Sequence, residues 1–179
     1  YPITYDSPSD IYLAVTSMPL TGTITISTEG SLLKVDEKVT LPVIITNAEN
    51  IGGFKAYVAN DVPGVTITIN EAQPQSGNYD INSDASQDKQ VISWTTTELW
   101  GLESTAELFF IDITVDDITA IPTDDLVLTL TILDLCDANG KDIRSGYAVE
   151  ASSLRVHHIY ELENTVENVN NYVKLQPVF

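Results

Sequence analysis

The chain has 179 residues, 43% of them hydrophobic, and 26 acidic against 8 basic residues give it a net charge of −18. That length suits one domain with its own core, and such acidity excludes nucleic acid and anionic membrane surfaces, which need a basic footprint. The single cysteine, Cys136, rules out an intrachain disulfide, and no apolar run approaches the roughly 18 residues that span a bilayer.

The opening stretch, Tyr1 to Asp10, is polar and contains Pro, unlike a signal peptide, so secretion implies a leader already removed. Residues 1–21 read as an N-terminal extension. Period-two alternation then begins at Thr23-Ile24-Thr25-Ile26. From Val39 to Thr46, Val39, Leu41, Val43 and Ile45 share one face, and Pro42 on the other suggests an edge strand or an N–H directed away from any neighbour. Phe54, Ala56 and Val58 face the core, which turns Gly53, Lys55 and Tyr57 outward. Val65, Ile67 and Ile69 alternate with Thr66, Thr68 and Asn70. Gly77 to Lys89 is polar and reads as a long loop with at most a short strand.

Val91 to Thr96 is a short strand carrying Trp94. Phe109, Ile111, Ile113 and Val115 form one face of the next, and Leu126, Leu128, Leu130 and Ile132 one face of a long one. Tyr147 to Glu150 and Leu154 to Ile159 are the last predicted strands. Asn50 to Gly53, Pro63-Gly64, Ser76 to Asn78, Asp137 to Gly140 and Ser145-Gly146 supply the turns. Residues 161–179 place Leu162, Val166, Val169 and Val173 at helical spacing, which reads as a short helix or an ordered tail. The fold class is therefore all-β: an antiparallel β-sandwich of jelly-roll topology with about nine strands, spanning residues 22–160.

Catalytic chemistry finds no footing. His157 and His158 are adjacent on a predicted strand and point to opposite faces. Cys136 has no basic neighbour to lower its pKa. The string Asp137-Ala138-Asn139-Gly140-Lys141-Asp142 places Asp137, Asn139 and Asp142 as weak calcium candidates, but the closing bidentate Glu is missing. A hairpin turn with Asn139-Gly140 at positive φ is the favoured reading.

Five segments in order resemble the cohesin modules of cellulosomal scaffoldins: Val35 to Asn47, followed by Asn50-Ile51-Gly52-Gly53-Phe54; Val91-Ile92-Ser93-Trp94; Glu107 to Val115; the Asp137-Ala138-Asn139-Gly140 turn; and Ser153-Leu154-Arg155-Val156. The pattern runs from about Thr23 to Val156. Where the family usually carries Tyr-Asp-Pro, this chain has Asn60-Asp61-Val62-Pro63. The resemblance implies a nine-stranded jelly roll that docks a dockerin on one flat face, built by the family's third, fifth, sixth and eighth strands. Dockerins are small helical modules with paired calcium loops, so the calcium is expected on the partner and no cofactor on this chain.

The resemblance turns Ile92, Trp94 and Thr96 outward beside Gly53, Lys55 and Tyr57, with Thr97, Leu99 and Trp100 at the strand's end. Trp94 reads equally well as a core tryptophan. These nine residues are the candidate partner site of a monomeric, non-catalytic module at the cell surface or outside the cell. The alternatives are a carbohydrate-binding module that stacks Trp94, Tyr57 and Trp100 on sugar rings, and a structural domain of a surface-layer or adhesin protein.

Overall fold

A computed structural model describes residues 21–59, 62–84, 89–96, 102–115, 119 and 122–157. The expected C-terminal helix (161–179) and nearly all of the N-terminal extension lie outside the described residues.

Within them the chain forms β1 (Gly22–Ile26), β2 (Leu32–Leu33), β3 (Val39–Thr46), β4 (Ile51–Ala59), β5 (Val65–Ile69), β6 (Asn78–Asp84), β7 (Lys89–Thr95), β8 (Thr105–Val115), β9 (Leu126–Asp137), β10 (Tyr147–Val149) and β11 (Ser152–Val156). Two sheets result, ordered β10-β1-β3-β8-β5 and β2-β11-β9-β4-β7-β6. Their inner faces make one core, because strand alternation sends every second side chain inward. Leu41, Val43, Ile45, Phe109, Ile111 and Ile113 line it from the first sheet, and Phe54, Ala56, Ile92, Leu128 and Leu135 from the second. The alternations predicted for β3, β4, β8 and β9 are those observed.

Three expectations need correction. The sandwich is mixed rather than purely antiparallel, since β1 pairs with β10 and β2 with β11 in parallel. The strands also exceed nine: β2 is a two-residue segment held only by β11. The polar stretch after Gly77 is not a loop but β6, paired with β7 from Asn78↔Thr95 to Asp84↔Lys89. Its alternation is short, with only Tyr79 and Ile81 packing on the core. Of the two readings of Pro42, the second holds: β3 is an interior strand between β1 and β8. The proline is tolerated because β1 ends at Ile26, opposite Val43. Pro42 then only accepts a bond, from the Ser27 N–H at 2.9 Å, so its missing donor leaves no ladder bond unmade.

Candidate docking face

The sheet β2-β11-β9-β4-β7-β6 has one face in the core and one outward. Register decides which residues share the outer face. Lys55 lies opposite Ser93 on β7 and Asp134 on β9, and Gly53 lies opposite Thr95 and Cys136. On β6, Asp80 lies opposite Ser93. Because Ala56 and Val58 are buried, Lys55 and Tyr57 point away from the core, Lys55 exposed and Tyr57 half-buried. The Lys89 ammonium sits 4.8 Å from the centre of the Tyr57 ring, a cation–π contact that holds both side chains on this face.

The same register corrects two predicted site residues. Phe54 faces Trp94 across the β4–β7 ladder, and Ala56 faces Ile92. Directly opposed residues share a face, so the inward Phe54 and Ala56 take Trp94 and Ile92 into the core, where each is 1% exposed. Trp94 stacks on Phe54 at 5.8 Å with a 27° interplanar angle, and its ring lies 6.2 Å from Tyr79. Its indole N–H donates to the Ser76 carbonyl at 3.0 Å, meeting the polar need of a buried tryptophan. Thr96, also expected outward, is half-buried, and its N–H donates to the Gly52 carbonyl at 3.1 Å. Gly53 is on the outer side but buried: a Cβ there would meet the Trp94 carbonyl at 3.0 Å and Cys136 Sγ at 3.3 Å. Thr97, Leu99 and Trp100 lie outside the described residues.

Residues passed over in the sequence complete the surface. Val91, Ser93 and Thr95 alternate with buried Ile92 and Trp94 on β7. Thr129, Thr131, Leu133 and Asp134 lie outside the core on β9, where an irregularity at Lys55/Ala56 leaves both Leu133 and Asp134 exposed. The Arg144 guanidinium donates to the Leu133 carbonyl at 2.8 Å and braces that kink. The missed signal was the plain alternation Val91, Ser93, Thr95, which reads as the polar side of the strand without any family pattern.

The weak metal candidates fall at the end of β9. Asp137 Oδ1 accepts the N–H groups of Asn139 and Lys141 at 2.9 and 3.0 Å, and Asp142 Oδ1 accepts the Arg144 N–H at 2.9 Å. Gly140 alone takes positive φ, at 79°, and its N–H closes the turn on the Asp137 carbonyl at 3.0 Å. The expectation that Asn139 shares this conformation is corrected: the loop is a turn followed by a glycine bulge, which needs one left-handed residue. Among the described residues, no group of three or more His, Cys, Asp or Glu is placed to hold a metal ion. Burial pushes the Cys136 thiol pKa up, and Asp134, Asp137 and Asp142 push it further. His157 follows the end of β11 rather than lying on it, its N–H donating to the Leu33 carbonyl at 2.8 Å; His158 lies outside the described residues.

No family model and no curated protein matches the sequence. Solved structures do. A cohesin from Clostridium thermocellum, solved in complex with a dockerin, aligns over 80% of this chain and 97% of its own, with a TM-score of 0.60 at 12% identity. The seventh type I cohesin of the ScaB protein of Pseudobacteroides cellulosolvens aligns over 83% and 99%, with a TM-score of 0.60 at 15% identity. A non-cellulosomal cohesin of the archaeon Archaeoglobus fulgidus aligns over 85% and 97%, with a TM-score of 0.57 at 16% identity. This chain has the cohesin fold. Each of these alignments covers 97–99% of the solved chain.

Proposed function

We propose that this cohesin-fold module is a non-catalytic receptor that docks a dockerin-bearing protein outside the cell, through the outer face of β9, β4, β7 and β6. The observation that carries the reading is an open sheet surface on a fold whose solved examples include cohesins in complex with dockerins. Lys55, Tyr57, Lys89, Val91, Ser93, Thr95, Thr131 and Leu133 supply the surface: a few apolar side chains among hydroxyls and two amines. A recessed apolar centre with hydrogen-bonding neighbours is the usual composition of a specific, non-obligate interface. The calcium belongs to the dockerin, and its removal acts through the partner. Ile92 and Trp94 act only as the support of this surface.

The sugar-binding alternative loses its main residue with the burial of Trp94, and the Tyr57 ring is already covered by Lys89. Titration calorimetry with calcium-loaded dockerins of the source organism, repeated with chelator, tests the receptor reading. Saturable one-to-one binding that chelator abolishes is the expected result. Absence of binding to every dockerin, with retention on a polysaccharide column, overturns it.

A further inference from the structure

Only one asparagine of the chain is followed by glycine: Asn139, before Gly140, in the turn that ends β9. Both residues are exposed. Gly140 sits at φ 79° with nothing within 4 Å of the place a Cβ would take, so the space beside its backbone nitrogen is open. The Asn139 side-chain amide makes no hydrogen bond among the described residues. The other described asparagines differ. The Asn47 amide donates to the Thr21 carbonyl, that of Asn70 to the Asp112 carboxylate at 3.0 Å, and that of Asn82 to Asp80 at 2.6 Å. Asn50 and Asn78 precede Ile51 and Tyr79, whose bulky side chains pack on the core and crowd the nitrogen that follows the asparagine.

We propose that Asn139 is a site of spontaneous covalent modification, and that the hydrogen bonds of its turn set the rate. The Gly140 backbone nitrogen loses its proton to water or hydroxide and attacks the Asn139 Cγ. An N–Cγ bond forms, the Cγ–Nδ2 bond breaks, and ammonia leaves with a proton taken from solvent. Water, the only co-reactant, then opens the resulting cyclic imide at either carbonyl, which leaves aspartate or isoaspartate. Glycine has no side chain to obstruct the attack. The turn opposes it. The Gly140 N–H donates to the Asp137 carbonyl at 3.0 Å, and Asp137 Oδ1 holds the Asn139 and Lys141 N–H groups at 2.9 and 3.0 Å. The ring closes only when these bonds open, so the rate follows local opening of the hairpin. Isoaspartate puts an extra carbon into the backbone of this turn, which packs through Asp137 and Ala138 against Gly52 of β4. None of this depends on a partner.

The full chain is incubated in mildly alkaline buffer made with heavy-oxygen water, and sampled by peptide mass spectrometry with an isoaspartate assay. Asn139 is expected to convert ahead of every other described asparagine, with the label in the new carboxyl group and both aspartate and isoaspartate present. Asp137→Ala removes the acceptor of two of the bonds. It is expected to speed conversion by about fivefold or more, the factor that losing one ordinary hydrogen bond puts on an opening equilibrium. Asn139→Gln, whose longer side chain closes such a ring poorly, is expected to abolish the reaction at this position. Thermal unfolding of each variant confirms that the fold is kept during incubation. If Asn139 stays an amide in the native chain and converts only once denaturant has unfolded it, or if another described asparagine converts first, the site is overturned. If Asn139 converts at the same rate in Asp137→Ala, control by the turn is overturned.

Discussion

Phe54 and Trp94 oppose each other across the β4–β7 ladder with ring centroids 5.8 Å apart, and Phe109 of the other sheet stacks on Phe54 at 5.6 Å. The aromatic column thus joins the two layers of the sandwich. Trp94→Ala should cost about 3–5 kcal/mol in urea unfolding, the usual cost of emptying a buried aromatic site. Any loss of docking should follow the loss of folded protein. A variant of unchanged stability that no longer binds would place Trp94 in the interface.

Gly52 is held against the hairpin at the end of β9, where a Cβ would lie 2.4 Å from the Asp137 carbonyl oxygen and 2.7 Å from the Ala138 Cα. Both atoms are backbone and cannot rotate away. Gly52→Ala should destabilise the fold by about 1–3 kcal/mol, as overpacking does. Amide hydrogen exchange should report faster opening of the Asp137–Lys141 turn than elsewhere in the sheet.

Burial pushes the pKa of Tyr79 up from 10.0 to about 12, with a backbone hydrogen bond from Gln75 pulling the other way. The phenol donates to the Leu108 carbonyl at 2.6 Å, a bond the phenolate cannot make. The folded value lies above the unfolded one, so this contribution to stability is whole below pH 10 and is lost as pH rises toward 12. Tyr79→Phe should lower stability at neutral pH by about 1 kcal/mol and flatten the alkaline decline seen in thermal melts.

The raised Cys136 pKa leaves less thiolate at neutral pH than an ordinary cysteine has. Alkylation by iodoacetamide at pH 7.5, followed by mass spectrometry, should be slower in the native protein than in denaturant. Asp134→Asn removes one of the three repelling carboxylates and should raise the native rate. An unchanged rate would leave burial, Asp137 and Asp142 as the causes.

Asp137 Oδ1 already serves two backbone N–H groups. Asp137→Ala should cost about 1 kcal/mol, and Asp137→Asn less, because the amide keeps an acceptor oxygen. Calcium alone should leave the melting temperature of the isolated chain unchanged. A rise with calcium that Asp137→Asn abolishes would make this turn a metal site.

The fold was legible from alternation wherever a strand has one apolar side: β3, β4, β8 and β9 each put three or four apolar side chains on one face. It was illegible where pairing rather than burial makes the strand. β6 has only Tyr79 and Ile81 to mark it, and β2 only Leu32-Leu33, so both exist through their neighbours. Of the candidate site, Lys55 and Tyr57 were readable from β4 alone. Trp94 was not, because its outward reading came from a family pattern, while the register that turns it inward depends on which β4 residue it faces. Phe54 had already been assigned to the core, and the two assignments conflict once Phe54↔Trp94 pairing is known. Cross-strand register is a long-range property that one strand's sequence does not carry.

The parallel pairing of β1 with β10 sets Gly22 beside Tyr147, and the Ser152 hydroxyl donates to the Ile26 carbonyl at 2.8 Å. The first strand therefore has no finished neighbour on one side until more than a hundred further residues have been synthesised. A chain emerging from the ribosome cannot seal this edge of the sandwich early; it waits, partly open, for β10 and β11. Such a topology favours slow, late closure, and a break placed just before β10 would leave both sheets with a raw edge open to association between copies.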